Sequence, residues 1–261
     1  MRHKLLFIAS VVGLSAAFAT SAKSQTVDLS NPNVTSGTIN GAIFSIDSSQ
    51  PAGTGIFGRS SGGVFSTIQN TGVEQGYNTS VDGIMDNKRV PQYNHEIKLS
   101  DLATVTINNQ VYIPFLLDIN ESANNNNNLL SLDDVKIFTT SATGVADTTL
   151  SSLMSDSRLS LKYNMDSGAN NSVMLDYNRN GSGSGKADMA LFVKASLFSG
   201  VSSNSTVYLY SRFGGDLSKG DANAGYEEWT AGKGTAPIPE PSSIALFGLG
   251  TLGLLMRRRR R

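Results

Sequence analysis

The chain contains no cysteine. No disulfide can brace it, no thiol can serve as a nucleophile, and no thiolate can hold zinc or an iron–sulfur cluster. Histidine is nearly as scarce, with His3 at the extreme N-terminus and only His95 in the body. A Ser-His-Asp triad or a multi-histidine metal centre would have to be built on His95 or not at all. Long stretches with 3.6-residue hydrophobic periodicity are missing, which argues against a helical bundle. An excess of positive charge is missing too. The chain carries 21 basic and 21 acidic residues, so nothing marks it as a partner of nucleic acid.

The ends are the most informative parts. Arg2, His3 and Lys4 form a short basic region, residues 5–19 are largely apolar, and small residues follow. This order predicts a secretory signal peptide over residues 1–24. Cleavage before Thr20 fits Ala17 and Ala19, and cleavage before Gln25 fits Ala22 and Ser24. At the other end, Pro237-Ile238-Pro239-Glu240-Pro241 precedes an apolar run, residues 244–256, and the last five residues are Arg257, Arg258, Arg259, Arg260 and Arg261. Proline cannot continue a helix and holds the preceding chain extended. The apolar run can be helical, about 20 Å long at about 1.5 Å per residue, shorter than the roughly 30 Å hydrocarbon core. The serines before it and the arginine stems after it narrow the gap. The positive-inside rule keeps the arginines cytoplasmic and places the body outside.

Pro-Glu-Pro, a short Gly/Leu-rich helix and a terminal arginine cluster, in that order, resemble the PEP-CTERM sorting signal. The resemblance covers residues 237–261, and Pro239, Glu240 and Pro241 stand at the positions of the family's motif. It implies an exosortase as processing partner and transient anchoring in the inner membrane through the C-terminal helix. Release to the cell surface or extracellular space follows, in a host with an outer membrane and extracellular polysaccharide. Within the body, residues 111–120, 130–138, 207–213 and Glu227-Glu228-Trp229 resemble uncharacterised cyanobacterial and proteobacterial PEP-CTERM proteins, a group without an assigned activity.

Residues 25–236 remain as the exported domain. Processing leaves 13 basic against 20 acidic residues, a net charge of −7, which suits a solvated extracellular protein. Ser, Asn, Gly and Thr punctuate short apolar runs, the pattern of an all-β protein. The expected fold is a two-sheet β-sandwich, jelly-roll or lectin-like, with nine to eleven strands. The runs 42–46, 95–99, 105–107, 111–119, 135–139, 159–163, 173–177, 189–193 and 207–213 read as strands. Asn108-Asn109 tolerates the left-handed turn of a hairpin. In 111–119 both alternating faces are bulky, so both are expected to be covered, and Pro114, lacking a donor, favours an edge strand or a bulge. The first quarter of the body is weakly patterned, with five glycines in 51–63.

Three features invite a chemical reading. The run Gly181 to Lys186 lacks the first glycine and the Ser/Thr of a phosphate-binding loop, having Asn180 and Ala187 there. Asp118, Asn120 and Glu121 end one strong strand, and Asp133 and Asp134 begin another. If the two strands pair, these oxygens gather at one sheet end, the kind of set that Ca2+ takes. Asp221, Asn223 and Glu228 lie in a second acidic stretch, where Asp221-x-Asn223-x-Gly225 resembles the start of a calcium loop without its remaining ligands. Trp229 beside it reads as a core or edge anchor. No cofactor is demanded by any motif, and Ca2+ is the one candidate. The leading expectation is a non-enzymatic cell-surface or matrix protein that binds exopolysaccharide. The alternatives are a secreted carbohydrate-active hydrolase using loop carboxylates and a purely structural surface protein.

Overall fold

The computed structural model describes residues 23–46, 63–124, 127–180, 185–215 and 220–232. The expected signal segment and the sorting tail, with Pro239, Glu240, Pro241 and the arginines, lie outside the described residues. So do 181–184 and nearly all of 51–63. Within the described residues the protein is all-β apart from one short helix and two 3-10 turns. The strands are β1 (Thr26–Asp28), β2 (Ser36–Ile39), β3 (Ala42–Ser45), β4 (Val64–Ile68), β5 (Glu74–Tyr77), β6 (Ile97–Lys98) and β7 (Val105–Ile107). They continue as β8 (Gln110–Asp118), β9 (Leu129–Thr140), β10 (Ser160–Asn164), β11 (Ser172–Asp176), β12 (Met189–Lys194), β13 (Thr206–Phe213) and β14 (Glu227–Ala231), with helix α1 (Leu150–Ser155) between β9 and β10.

These strands form two seven-stranded sheets. The first runs β1-β11-β9-β13-β5, with β10 also paired to β9 and β6 to β13. The second runs β2-β3-β12-β8-β14-β4, with β7 also paired to β8. Pairing is antiparallel except for β1 beside β11. The sheets face each other across one core, to which β9 and β13 give Leu130, Ile137 and Leu209, and β8 and β14 give Phe115, Leu117 and Trp229. A hydrogen bond crosses that core from Trp229 Nε1 to Ser211 Oγ, 3.0 Å. Burial thus substitutes for the missing disulfides, each fully buried large apolar side chain contributing roughly 1.5–3 kcal/mol.

The outer faces are covered as well. Tyr112, Leu116 and Phe192 pack with Tyr93 outside the second sheet. Outside the first, Tyr77, Phe138 and Tyr208 pack against Leu153 of α1, whose start is capped by Thr149 Oγ1 accepting from the Ser152 amide at 3.1 Å. This two-sided burial explains why β8 is bulky on both faces. The turn joining β7 to β8 places Asn108 at φ 48° and Asn109 at φ 60°, the left-handed pair that such a hairpin needs.

The expectation that Pro114 marks an edge or bulge is corrected, because β8 lies inside its sheet, between β12 on one side and β7 and β14 on the other. The Pro114 carbonyl accepts from the Gly232 amide, 2.9 Å, so its missing N–H also faces that side. There β7 pairs only as far as Tyr112 and β14 only as far as Phe115. The absent donor falls at the junction between two neighbouring strands, where the ladder needs none.

Candidate functional site

The acidic residues concentrate at one end of the two sheets, and bulges and connections decide where each points. The connection from β4 to β5 is held to the one from β13 to β14 by Gly72 N–H to Ala222 O, 2.8 Å, and Ala222 N–H to Gly72 O, 3.0 Å. The connection after β8 joins them. Asn120 Nδ2 donates to Tyr226 O at 2.9 Å, and the Asn223 amide donates to Glu121 Oε2 at 3.0 Å. Gly225, at φ 70°, lets the chain pass so close to Asn120 that an added Cβ would lie 2.3 Å from its carbonyl oxygen.

Consecutive residues of a strand face opposite ways, so Glu227 and Glu228 of β14 feed two separate groups of acids. The inner group is Glu74 of β5, Glu121 and Glu227. Glu74 Oε2 accepts from the Asn70 amide at 2.7 Å. Glu227 has no exposed surface and neither of its oxygens has a hydrogen-bond partner, while Glu74 and Glu121 each leave Oε1 unpaired. Burial raises the Glu74 pKa, partly offset by its contact with Glu227. Burial first, then the Glu74 and Glu121 carboxyls, hold Glu227 protonated far above the ordinary range. Burial, with the charges of Glu74 and Asp221, pushes Glu121 up to about 8.

The outer group is Asp118, Asp188 and Glu228. Asp118 stands directly across from Glu228 in the β8–β14 register, a like-charge pairing that disfavours double ionisation. Asp118 Oδ2 accepts from the Gly185 amide at 2.7 Å and Asp188 Oδ2 from the Ile119 amide at 2.9 Å. Burial, then the charges of Asp188 and Glu228, raise Asp118 to about 8. Burial lifts Asp188 and Glu228 each to about 7, opposed at Glu228 by Arg89. That guanidinium lies over the Tyr226 ring, 4.5 Å from its centroid. All these acids keep their protons longer in the folded protein than in the unfolded chain. Their contribution to stability is therefore present at low pH and is lost as pH rises, for Asp118 and Glu121 between about 4 and about 8.

Of the residues expected to gather, Asp118, Asn120 and Glu121 lie at this end, and Asp221, Asn223 and Glu228 of the separate second stretch lie there too, divided between the two faces. Asp133 and Asp134 do not join Asp118, since β8 and β9 belong to different sheets. In the β9–β13 register Phe213 faces Leu132 and Arg212 faces Asp134, so Asp133 is the extra residue of a bulge. It accepts from the Gly215 amide. Asp134 forms a buried ion pair with Lys136 instead. Glu227 and Glu228 belong to a strand rather than to an acidic loop, and Trp229 beside them is a fully buried anchor. His95 precedes β6, and its ring nitrogens contact the carbonyls of Glu96 and Val64 at 3.1 and 3.2 Å, an arrangement that serves the backbone. Glu74 and Asp188 escaped sequence reasoning, since each is a single acid beside an apolar run. Among the described residues, no group of three or more His, Cys, Asp or Glu side chains is placed to hold a metal ion, and no helix is long and apolar enough to cross a membrane.

The C-terminal tail is where a known family appears. The family model of the PEP-CTERM protein-sorting motif matches residues 237–261. The chain carries an exosortase sorting tail. That tail marks the protein for export and for sorting to the surface or the extracellular space. No curated protein and no solved structure matches the chain, so no relative stands behind the body's likeness to cyanobacterial or proteobacterial proteins.

Proposed function

We propose that this is a non-enzymatic cell-surface or matrix protein whose exported body binds extracellular polysaccharide after its tail has been removed. The match of residues 237–261 to the PEP-CTERM protein-sorting motif supports the export and surface-sorting part of this reading. The body supports it through its acidic balance once both ends are gone, and a lectin-like reading of the two sheets belongs to the same proposal. The place for a glycan is an open cleft of about 430 Å3 beside β10. There the exposed side chains of Leu161 and Leu197 offer an apolar floor, and Asn40, Asn164 and Ser167 offer amide and hydroxyl edges. A concave site with an apolar lining and a few placed polar groups has the general form of a small-ligand pocket.

The test has two arms on the protein from its native host. Intact mass of the released form should begin between Thr20 and Gln25 and end before Ile244; a membrane species still ending in Arg261 would withdraw the sorting step. Pull-down on host exopolysaccharide, with and without chelator, should retain the protein and lose it in the variant Leu161→Asp/Leu197→Asp. Equal retention of that variant would refute the cleft, and no retention at all would favour a purely structural surface component.

A further inference from the structure

The inner group of acids has no part in that reading. It joins three segments far apart in sequence: Glu74 at the start of an edge strand of the first sheet, Glu227 at the start of β14 in the second, and Glu121 in the connection after β8. The β4–β5 connection passes from one sheet to the other at this point, so whatever Glu74 and Glu227 do to each other acts between the sheets. Glu227 has no exposed surface and no well-formed hydrogen bond to either oxygen, the Asn120 amide being the one backbone donor that acts on it, and Glu74 leaves Oε1 bare. Two ionised carboxylates in this position would be desolvated, unpaired and mutually repelling. One proton relieves the repulsion, because the protonated acid donates to the other, and Glu74 Oε1 and one Glu227 oxygen gain a partner.

We propose that Glu74 and Glu227 share one proton in a carboxyl–carboxylate hydrogen bond that clamps β5 to β14, and that losing this proton loosens this end of the two sheets.

The surroundings fit a pair that retains a single proton. The remaining negative charge on Glu74 is met by the Asn70 amide at Oε2. The charged groups that act on the pair are Asp86 and Lys88 from the segment after β5, and Glu121 from the connection after β8. Asp221, in the connection before β14, acts on Glu121. Lys88 is the only cation among them, outnumbered by acids, so no positive side chain replaces the proton. Glu121, itself held by the Asn223 amide, adds a third acid that favours keeping the proton in place. When the pair ionises, the parts driven apart are the connections tied by Gly72–Ala222 and Glu121–Asn223, and the strands behind them stay paired.

Amide hydrogen exchange on the full chain in chelator, corrected for intrinsic rates, reads the clamp directly. Loss of one proton makes the opening constant at Gly72, Ala222 and Asn223 rise about tenfold per pH unit from the ordinary glutamate pKa of about 4.3 up to the pH at which the buried pair titrates, and level off above it. In Glu227→Gln the amide is a permanent donor to Glu74, and protection at those three positions should become independent of pH. Asp118→Asn, a change in the outer group, should leave their pH dependence as in the parent. Parallel profiles for the parent and Glu227→Gln would overturn the proposal. So would protection that Ca2+ restores at alkaline pH in the parent but not in Glu227→Gln, since a cation would then take the place given to the proton. Should Glu227→Gln fail to fold, the carboxyl 13C shifts of the parent decide instead. Two coupled steps, one far above the ordinary carboxylate range, are expected, and ordinary titration of both acids refutes the shared proton.

Discussion

Replacing Trp229 with phenylalanine should loosen the joint between the sheets by a calculable amount. The indole is fully buried in the shared core, and its Nε1 donates across it to Ser211 Oγ at 3.0 Å. Ser211 is itself without exposed surface. Phenylalanine keeps the six-membered ring's place and removes the pyrrole half with its donor. Deleting a whole Phe or Trp from a core costs about 3–5 kcal/mol, so half an indole accounts for roughly 1–2 kcal/mol. The stranded serine hydroxyl adds about 1–3 kcal/mol as a buried polar group without its partner. A total near 3 kcal/mol corresponds to a melting temperature lower by about 6–12 °C for a domain of this size. Circular dichroism melts of the parent, Trp229→Phe, Ser211→Ala and the double variant close the cycle. The double variant should recover about 1 kcal/mol or more relative to the sum of the singles, since it removes both ends of the bond. Strict additivity would show that the bond does not couple the sheets, and the reasoning would fail.

Two further outcomes follow from the buried charges. Asp134→Ala leaves the Lys136 ammonium buried without its partner and should destabilise by about 3–5 kcal/mol in urea unfolding, whereas Asp134→Leu with Lys136→Met should be close to neutral. Asp118, raised from 3.8 to about 8, binds a proton on folding. The parent's stability should therefore fall as pH rises between those values, and Asp118→Asn should flatten that decline by up to about 1.4 kcal/mol per pH unit. Unchanged slopes in denaturant titrations from pH 4 to 8 would contradict this.

How much of this was legible beforehand depended on whether a strand's burial follows a simple alternation. The hairpin of β7 and β8, and strands β3, β10, β11, β12 and β13, stood out because apolar residues recur at every second place and turn formers bound them. Strands β1, β2, β4, β5 and β14 did not. Val64–Ile68 is buried on both faces and includes Ser66 and Thr67, so its pattern looks like a loop. Glu74 and Glu227 are buried acids at strand ends, which any reading from polarity sends to the surface. The bulge at Asp133 shifts the inward set from Leu130 and Leu132 to Val135 and Ile137, and a strict period of two cannot follow that. Asp118 and Glu121 were expected to meet Asp133 and Asp134, and Asp221 stood in a separate stretch, so the acidic end as it forms was not read from the sequence. Its division between two faces rests on Glu227 and Glu228 lying in a strand, which sequence could not fix because only the partners β4 and β8 make them one.

Strand β14 carries a consequence for the order of events in export. It is the last strand among the described residues, yet it lies between β8 and β4. Likewise β1 waits for β11, residues 146 places further on, before it has a neighbour in its sheet. Neither sheet can close around a partial chain, and pairings of such separation form slowly. The polypeptide therefore stays threadable while it crosses the membrane, and the second sheet is completed only when the residues just ahead of the sorting motif have arrived. A chain truncated before Glu227 would reach the outside without the strand that finishes the second sheet.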